Sequence, residues 1–296
     1  MKDKCPWCES QNNSLFLELK DYFLTQEDFK IYECHDCKLL FTTPCPPSSE
    51  IGKYYKSSDY LSHNDEKKGI VPFIYKLVKK INIRNKFNIV KKHATNQTSL
   101  GINILDIGCG MGDFLLYAKN KGYNIAGLEP DKDARKIAEE KLNIKIFHQD
   151  ELEDIPDNSL DVVTMWHVLE HVADLKTEIH HLDRVLKKDA KLILALPNYK
   201  SFDAAYYKDK WAAYDVPRHL NHFSRTSINN IFEKSNFQLL DVKALKWDSF
   251  YISILSEKYA NNKNSFIKGI ITGCKSNGKA QKTGEFSSLV YILKKI

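Results

Sequence analysis

Between residues 100 and 200 the apolar positions fall into two alternating rhythms. Short runs rich in β-branched residues, at 102–107 (INILDI), 123–128 (YNIAGL), 143–147 (NIKIF), 160–165 (LDVVTM) and 191–196 (KLILAL), have the length of buried strands. Between them, 112–121, 131–141 and 174–187 carry apolar residues at helical spacing. Strands that alternate with helices predict a parallel sheet covered on both faces. Downstream, the pattern predicts a helix with Thr226 as its N-cap, a run at 237–245 (FQLLDVKAL) and a closing strand at 288–295 (SLVYILKK). The segments that interrupt these elements, an aromatic-rich 198–225 and the stretch 246–287, read as insertions forming a small helical cap.

Upstream, Ile70, Phe73, Leu77, Ile81 and Phe87 fall near helical spacing inside Lys67–Lys92, which holds eight lysines, Arg84 and no acid. This is an amphipathic helix whose basic face is solvated. The proline cluster Pro44, Pro46 and Pro47 can continue neither a helix nor a central strand, so it marks a boundary. Three parts follow: a module over 1–47, a linker and helical cover over 48–95, and an α/β domain over 96–296.

Composition limits the function classes. The 296 residues are 43% hydrophobic and 28% charged, enough for a full core. Apolar runs such as 192–196 are far shorter than the roughly 18 residues of a membrane span, and MKDKCPWCES has no apolar signal region. A cytoplasmic chain with reduced cysteines is expected. The net charge of +6 is concentrated at the end: 260–296 carries seven lysines against Glu285, leaving peripheral contact with an anionic surface open.

Cys5-Pro-Trp-Cys8 and Cys34-His-Asp-Cys37 are two C-x-x-C pairs separated by 25 residues. Each presents two thiolates at a tight turn, and four thiolates satisfy tetrahedral zinc with no open position for catalysis. We read this as a structural Zn2+ site, with His35 and Cys45 outside it.

Leu105-Asp-Ile-Gly-Cys-Gly-Met-Gly-Asp113 follows the first strand of the α/β domain and opens a helix. Gly108, Gly110 and Gly112 stand at i, i+2 and i+4, whereas a dinucleotide loop has G-x-G-x-x-G. Asp106 would repel a pyrophosphate but suits an ammonium group. Glu129, 21 residues after Gly108, ends the second strand, where a carboxylate can accept the two hydroxyls of a ribose; Asp150 follows the third.

These stretches, LDIGCGMG, LEPD, QDELEDIP and LDVVTMWHVLEHV, resemble the class I S-adenosylmethionine-dependent methyltransferases. The resemblance implies a Rossmann-like sheet of seven strands ordered 3-2-1-4-5-7-6, with strand 7 antiparallel, behind a small N-terminal zinc module. It implies a cofactor held by the loop residues Asp106, Gly108, Cys109, Gly110 and Gly112, with Asp106 and Gly108 near the methionine portion. Glu129 would take the ribose, Asp150 and Glu151 the adenine, while Trp166 and His167 line the pocket. KWAAYDVPRHLNHFS at 210–224 is similar to a signature of bacterial ubiquinone-type O-methyltransferases, and the cysteine module to that of sugar C-methyltransferases.

Methyl transfer to a hydroxyl or carbon acid needs alignment and a base. His167 and His171 follow the fourth strand, and His219 and His222 lie in the insertion expected above it. His171 is the first choice for the base, His219 the second, and Glu170 can support an imidazolium. Tyr60 and His63 are further candidates to reach the site. The expected reaction is methylation, at oxygen before carbon, of a small or carrier-linked acceptor such as a sugar, polyketide or quinol. Absence of an N-P-P-Y-like tetrapeptide after the fourth strand weighs against base methylation. An RNA methyltransferase is the alternative, disfavoured because 1–45 holds fewer lysines than acids; a non-catalytic cofactor-binding module is the third.

Overall fold

The computed structural model describes residues 4–47, 49–55, 70–94 and 101–296, with 70–78 as backbone only. Three antiparallel strands open the chain: β1 (Asn13–Lys20), β2 (Asp28–Cys34) and β3 (Leu40–Thr43). Helix α1 (Ile70–His93) follows, then β4 (Asn103–Ile107), α2 (Asp113–Lys119), β5 (Asn124–Leu128), α3 (Lys132–Leu142), β6 (Leu160–Trp166), α4 (Leu175–Val185) and β7 (Leu186–Pro197). The remainder is α5 (Phe202–Tyr207), β8 (Asn221–His222), α6 (Arg225–Phe232), β9 (Phe237–Ala244), α7 (Asp248–Tyr259), α8 (Ser265–Thr283) and β10 (Ser288–Lys295).

The main sheet has the order β5-β4-β6-β7-β10-β9, with β5, β4, β6 and β7 parallel and β10 antiparallel to both its neighbours. Every residue of β6 is buried, which is why its run is nearly continuous in apolar residues rather than alternating. This is the expected Rossmann-like order with one strand fewer. The segment 143–147 makes a single bridge, Phe147 to Leu128, on the outer side of β5. Asn143 ends α3 in the left-handed region, the Ile146 N–H is taken by Glu139 at 3.0 Å, and His148 caps a turn at Gln149–Asp154; no length remains for a ladder.

Two other expectations change. The N-cap of α6 is Ser224, not Thr226: its side chain accepts from the Ser227 N–H, and Ser227 answers the Ser224 N–H. The 246–287 insertion is helical, but 198–225 is no detached cap. Its strand β8 pairs with β3, completing a four-stranded sheet with the N-terminal module.

A second core lies under that seam, where Leu19, Phe29, Ile31, Leu40 and Tyr54 pack with Trp211, Tyr214 and Val216. Beside it Arg218, 2% exposed, donates to Asp21 at 2.8 Å, to Asp215 at 2.7 Å and to the Tyr54 carbonyl at 3.0 Å. The module and the α/β domain therefore share a core and a buried ion pair across 197 residues of sequence.

Candidate active site

The loop after β4 is shaped by its glycines. Gly108 has φ +70°, and a Cβ there would meet Val168 at 2.5 Å; Gly110 has φ +54° and faces open space. Gly112 starts α2 and rests on Leu142 and Ala138. Glu129, just past β5, braces this loop: it accepts from the Gly110 N–H at 2.7 Å and the Asp131 N–H at 3.0 Å. Burial raises its pKa despite those two bonds. Two of its lone-pair positions stay free for hydroxyl donors, and it stands one hydrogen bond behind the loop wall.

In front of that wall is a cavity of about 370 Å³, lined by Asp106, Gly108, Cys109, Gly110, Phe114 and Trp166 on the sheet side and by Asn82, Ile83 and Lys86 on α1. Asp106 is 2% exposed and accepts from Thr164 at 2.6 Å; burial pushes its pKa up to about 7 against that bond and the charge of Lys86. The Lys86 ammonium stands 4.8 Å from the Trp166 ring centre and has no hydrogen-bond acceptor among the described residues. Burial lowers its pKa, opposed by Asp106 and Asp248. Beside Lys79 and Asp113, which also line it and pair with each other at 2.9 Å, the cavity thus presents a carboxylate and an ammonium without an acceptor among the described residues, which fits the zwitterionic end of an amino acid. The basic face of α1 is accordingly not wholly solvated. Lys86 was not legible as a site residue, because only the packing of α1 on the sheet turns it inward.

Asp150 and Glu151 do not line this cavity. Glu151 accepts from the His148 N–H at 2.6 Å and from Lys145 at 2.7 Å, so its carboxylate holds the turn together. Asp150 remains mostly solvent-exposed, its side chain 90% accessible.

The histidines divide. Trp166 reaches the cavity, but His167 turns away with φ +61° and is held between Asp248, 3.0 Å from Nε2, and Glu170, 3.3 Å from Nδ1. Burial opposes its charge, yet the two carboxylates raise its pKa to about 9, so it is an imidazolium. His171 Nδ1 lies 2.9 Å from the Arg218 carbonyl and 3.2 Å from the Tyr55 hydroxyl. A carbonyl only accepts, so Nδ1 carries the proton and Nε2 the lone pair. Burial and His219 push its pKa down to about 4, leaving it neutral at pH 7.

His219 is fixed in the same way, with Nδ1 2.9 Å from the Ala213 carbonyl, and its ring meets that of His171 edge-on at 4.6 Å. Glu170, His171 and His219 lie within 4.8 Å of one another. Glu170 is 1% exposed, and neither carboxylate oxygen has a well-formed hydrogen bond among the described residues. His222, its ring centre 6.5 Å from that of His219, is tied to the N-terminal module: its Nε2 is 2.9 Å from Thr42, which in turn donates to the His219 carbonyl at 2.7 Å. Tyr60 and His63 lie outside the described residues.

The four cysteines converge. Cys5 and Cys37 sulfurs are 3.5 Å apart, those of Cys8 and Cys34 3.4 Å, and all four lie within 4.8 Å of one another. Tetrahedral zinc with bonds of about 2.3 Å needs sulfur separations of about 3.8 Å, inside that range, whereas a disulfide needs about 2.05 Å. His35 and Cys45 are exposed and outside the cluster.

A family model described as a methyltransferase domain matches residues 79–242, more than half of the chain. The chain belongs to this methyltransferase family. Family and sheet order together make the methyltransferase one of the class I, S-adenosylmethionine-dependent kind. It is 30% identical over 122 residues to a demethylmenaquinone methyltransferase of Staphylococcus aureus, covering 36% of this chain and 51% of the relative. One from Listeria welshimeri is 29% identical over 124 residues, covering 36% and 52%. The methyltransferase thus matches about half the length of these curated relatives. Among solved structures, geranyl diphosphate methyltransferase in complex with SAM superposes with a TM-score of 0.53 at 12% identity, covering 78% of this chain and 94% of that one. The [4+2]-cyclase SpnF gives 0.51 at 16%, covering 72% and 81%. These two likenesses are of fold alone. No described helix of the methyltransferase is long and apolar enough to cross a membrane.

Proposed function

We propose that this methyltransferase methylates an oxygen, or secondarily a carbon acid, of a small or carrier-linked acceptor such as a quinol, sugar or polyketide. The observation that carries the reading is the cavity in which Asp106 and Lys86 present opposite charges below the brace of Glu129. When bound, S-adenosylmethionine supplies an electrophilic methyl group. Asp106 would hold its ammonium, Lys86 its carboxylate and Glu129 its ribose hydroxyls. Asp150, whose exposed carboxylate stands 3.1 Å from His148 Nδ1, would take the adenine amino group. A small-molecule acceptor agrees with the name of the curated relatives, which speaks of demethylmenaquinone.

His171 is the proposed base. Its neutral ring keeps a lone pair on Nε2, and the buried Glu170 carboxylate next to it stabilises the imidazolium that forms on proton removal. His219, oriented by the Ala213 carbonyl, is the second choice. In the N-terminal module Cys5, Cys8, Cys34 and Cys37 would hold one structural zinc, on the order of 10 kcal/mol toward folding. We keep 1–47, 48–95 and 96–296 as the proposed parts, stitched by the pairing of β3 with β8.

The test supplies labelled S-adenosylmethionine with demethylmenaquinol and with a cell extract, and identifies the labelled product by mass. General-base loss slows a reaction by roughly 10² to 10⁴, so His171→Gln should lower turnover by that factor with cofactor affinity within a few fold. Unchanged turnover in His171→Gln, His219→Gln and their combination would remove the base from this cluster.

A further inference from the structure

Helix α8 is amphipathic in the reverse sense. Its buried face is made of small residues, Gly269, Thr272, Gly273, Ser276 and Ala280. They let it lie close against α7: a Cβ at Gly269 would come within 2.5 Å of the Ile254 Cα, and one at Gly273 within 2.8 Å of the Phe250 ring. The large apolar residues point outward instead. Phe266 and Ile267 are each 59% exposed and Ile271 48%, with Ile270 between them, and Tyr251 on α7 is 69% exposed. A soluble helix normally buries such residues and exposes the small ones.

The charges around this stripe are of one sign. At 100° per residue, Lys268, Lys275, Lys279 and Lys282 fall along one flank of α8. Lys263, Lys268, Lys275 and Lys282 have no acidic partner among the described residues, and Lys279 rests 4.0 Å from the Phe202 ring centre. The nearby acids are committed: Glu257 is buried and accepts from Tyr207 and Asn262, Asp248 is paired with His167, and Glu285 with Arg225 and Asn198. A second copy meeting this face by two-fold symmetry would set lysines against lysines. An apolar stripe flanked by unpaired lysines complements an anionic lipid surface, in which side chains of this size sit at the boundary of headgroups and acyl chains.

We propose that the outer face of the α7–α8 hairpin docks this protein on an anionic lipid bilayer. The docking element is also the one that supplies Asp248 to His167.

Flotation of the full chain with vesicles tests this. The chain should float with phosphatidylglycerol mixed into phosphatidylcholine and hardly at all with phosphatidylcholine alone. Each lysine near such a surface contributes about fivefold, so Lys268→Glu/Lys275→Glu should weaken partition by at least about tenfold. Phe266→Ser/Ile270→Ser/Ile271→Ser should abolish it, while both variants bind S-adenosylhomocysteine as the parent does. Absence of flotation by the parent, or unchanged partition in both variants, overturns the proposal. So does a parent dimer in sedimentation equilibrium that the apolar variant dissolves without lipid, which would make a second copy the occupant. A parent that floats but fails to bind S-adenosylhomocysteine upholds the docking and defeats the cofactor reading instead.

Discussion

Replacing Lys86 by methionine removes the only ammonium in the cofactor cavity that lacks an acceptor among the described residues, and leaves a side chain of similar length on α1. A charge-assisted hydrogen bond is worth roughly 1.5–3 kcal/mol, about tenfold to 150-fold in affinity. If Lys86 holds the carboxylate of the amino-acid end, S-adenosylhomocysteine should bind Lys86→Met more weakly by that factor. Methylthioadenosine has the same nucleoside but no amino-acid end, so its affinity should stay within about twofold. Calorimetry with both ligands on one preparation gives the comparison directly. Folding is not the confounder it usually is: burial disfavours the Lys86 charge, so the variant should melt at the parent temperature or above it. Equal losses for the two ligands, or no loss for S-adenosylhomocysteine, would refute the assignment and leave Lys86 to the acceptor or to the surface of α1.

Arg218→Met takes the cation from the buried Asp21 carboxylate, which keeps only its donors from Phe23, Leu24 and Thr25, so it should destabilise the chain by about 3–5 kcal/mol in urea titrations; a surface-like effect near zero would mean that the seam carries little. Metal analysis should find one zinc per chain in the parent and less than half in Cys5→Ser/Cys34→Ser, and full occupancy in that variant would reassign the metal. His167 has a folded pKa raised from 6.5 to about 9, so its contribution is complete below pH 6.5 and is lost as pH rises toward 9. Unfolding free energy should fall across that window in the parent and stay flatter in His167→Gln; parallel pH curves would mean that the ring is not charged in the native state.

The features legible in the chain alone are local. The alternation of β-branched runs and helical spacings marks β4, β5, β6, β9 and β10 in nearly their final bounds, because period and length follow from backbone geometry within a few residues, whereas β7 begins at Leu186, five residues before its apolar run and inside the expected helix. The glycine spacing in 108–112 distinguishes its loop from a dinucleotide loop for the same reason, and the paired C-x-x-C motifs bring their own thiolates together in two turns. Tertiary structure decided which groups meet at long range. Arg218 sits inside a recognisable signature, yet its partner Asp21 is 197 residues earlier, and β8 is two residues that become a strand only because β3 has a free edge beside them. His167 reads as a pocket residue until Asp248, 81 positions later, captures it. Lys86 reads as one more solvated lysine until α1 packs over the loop after β4. Glu151 reads as an adenine contact until its carboxylate closes a capping box. In each case the side chain's chemistry was visible from the start, but burial and the distance to its partner set its charge and role, and both exist only once the distant segments have packed.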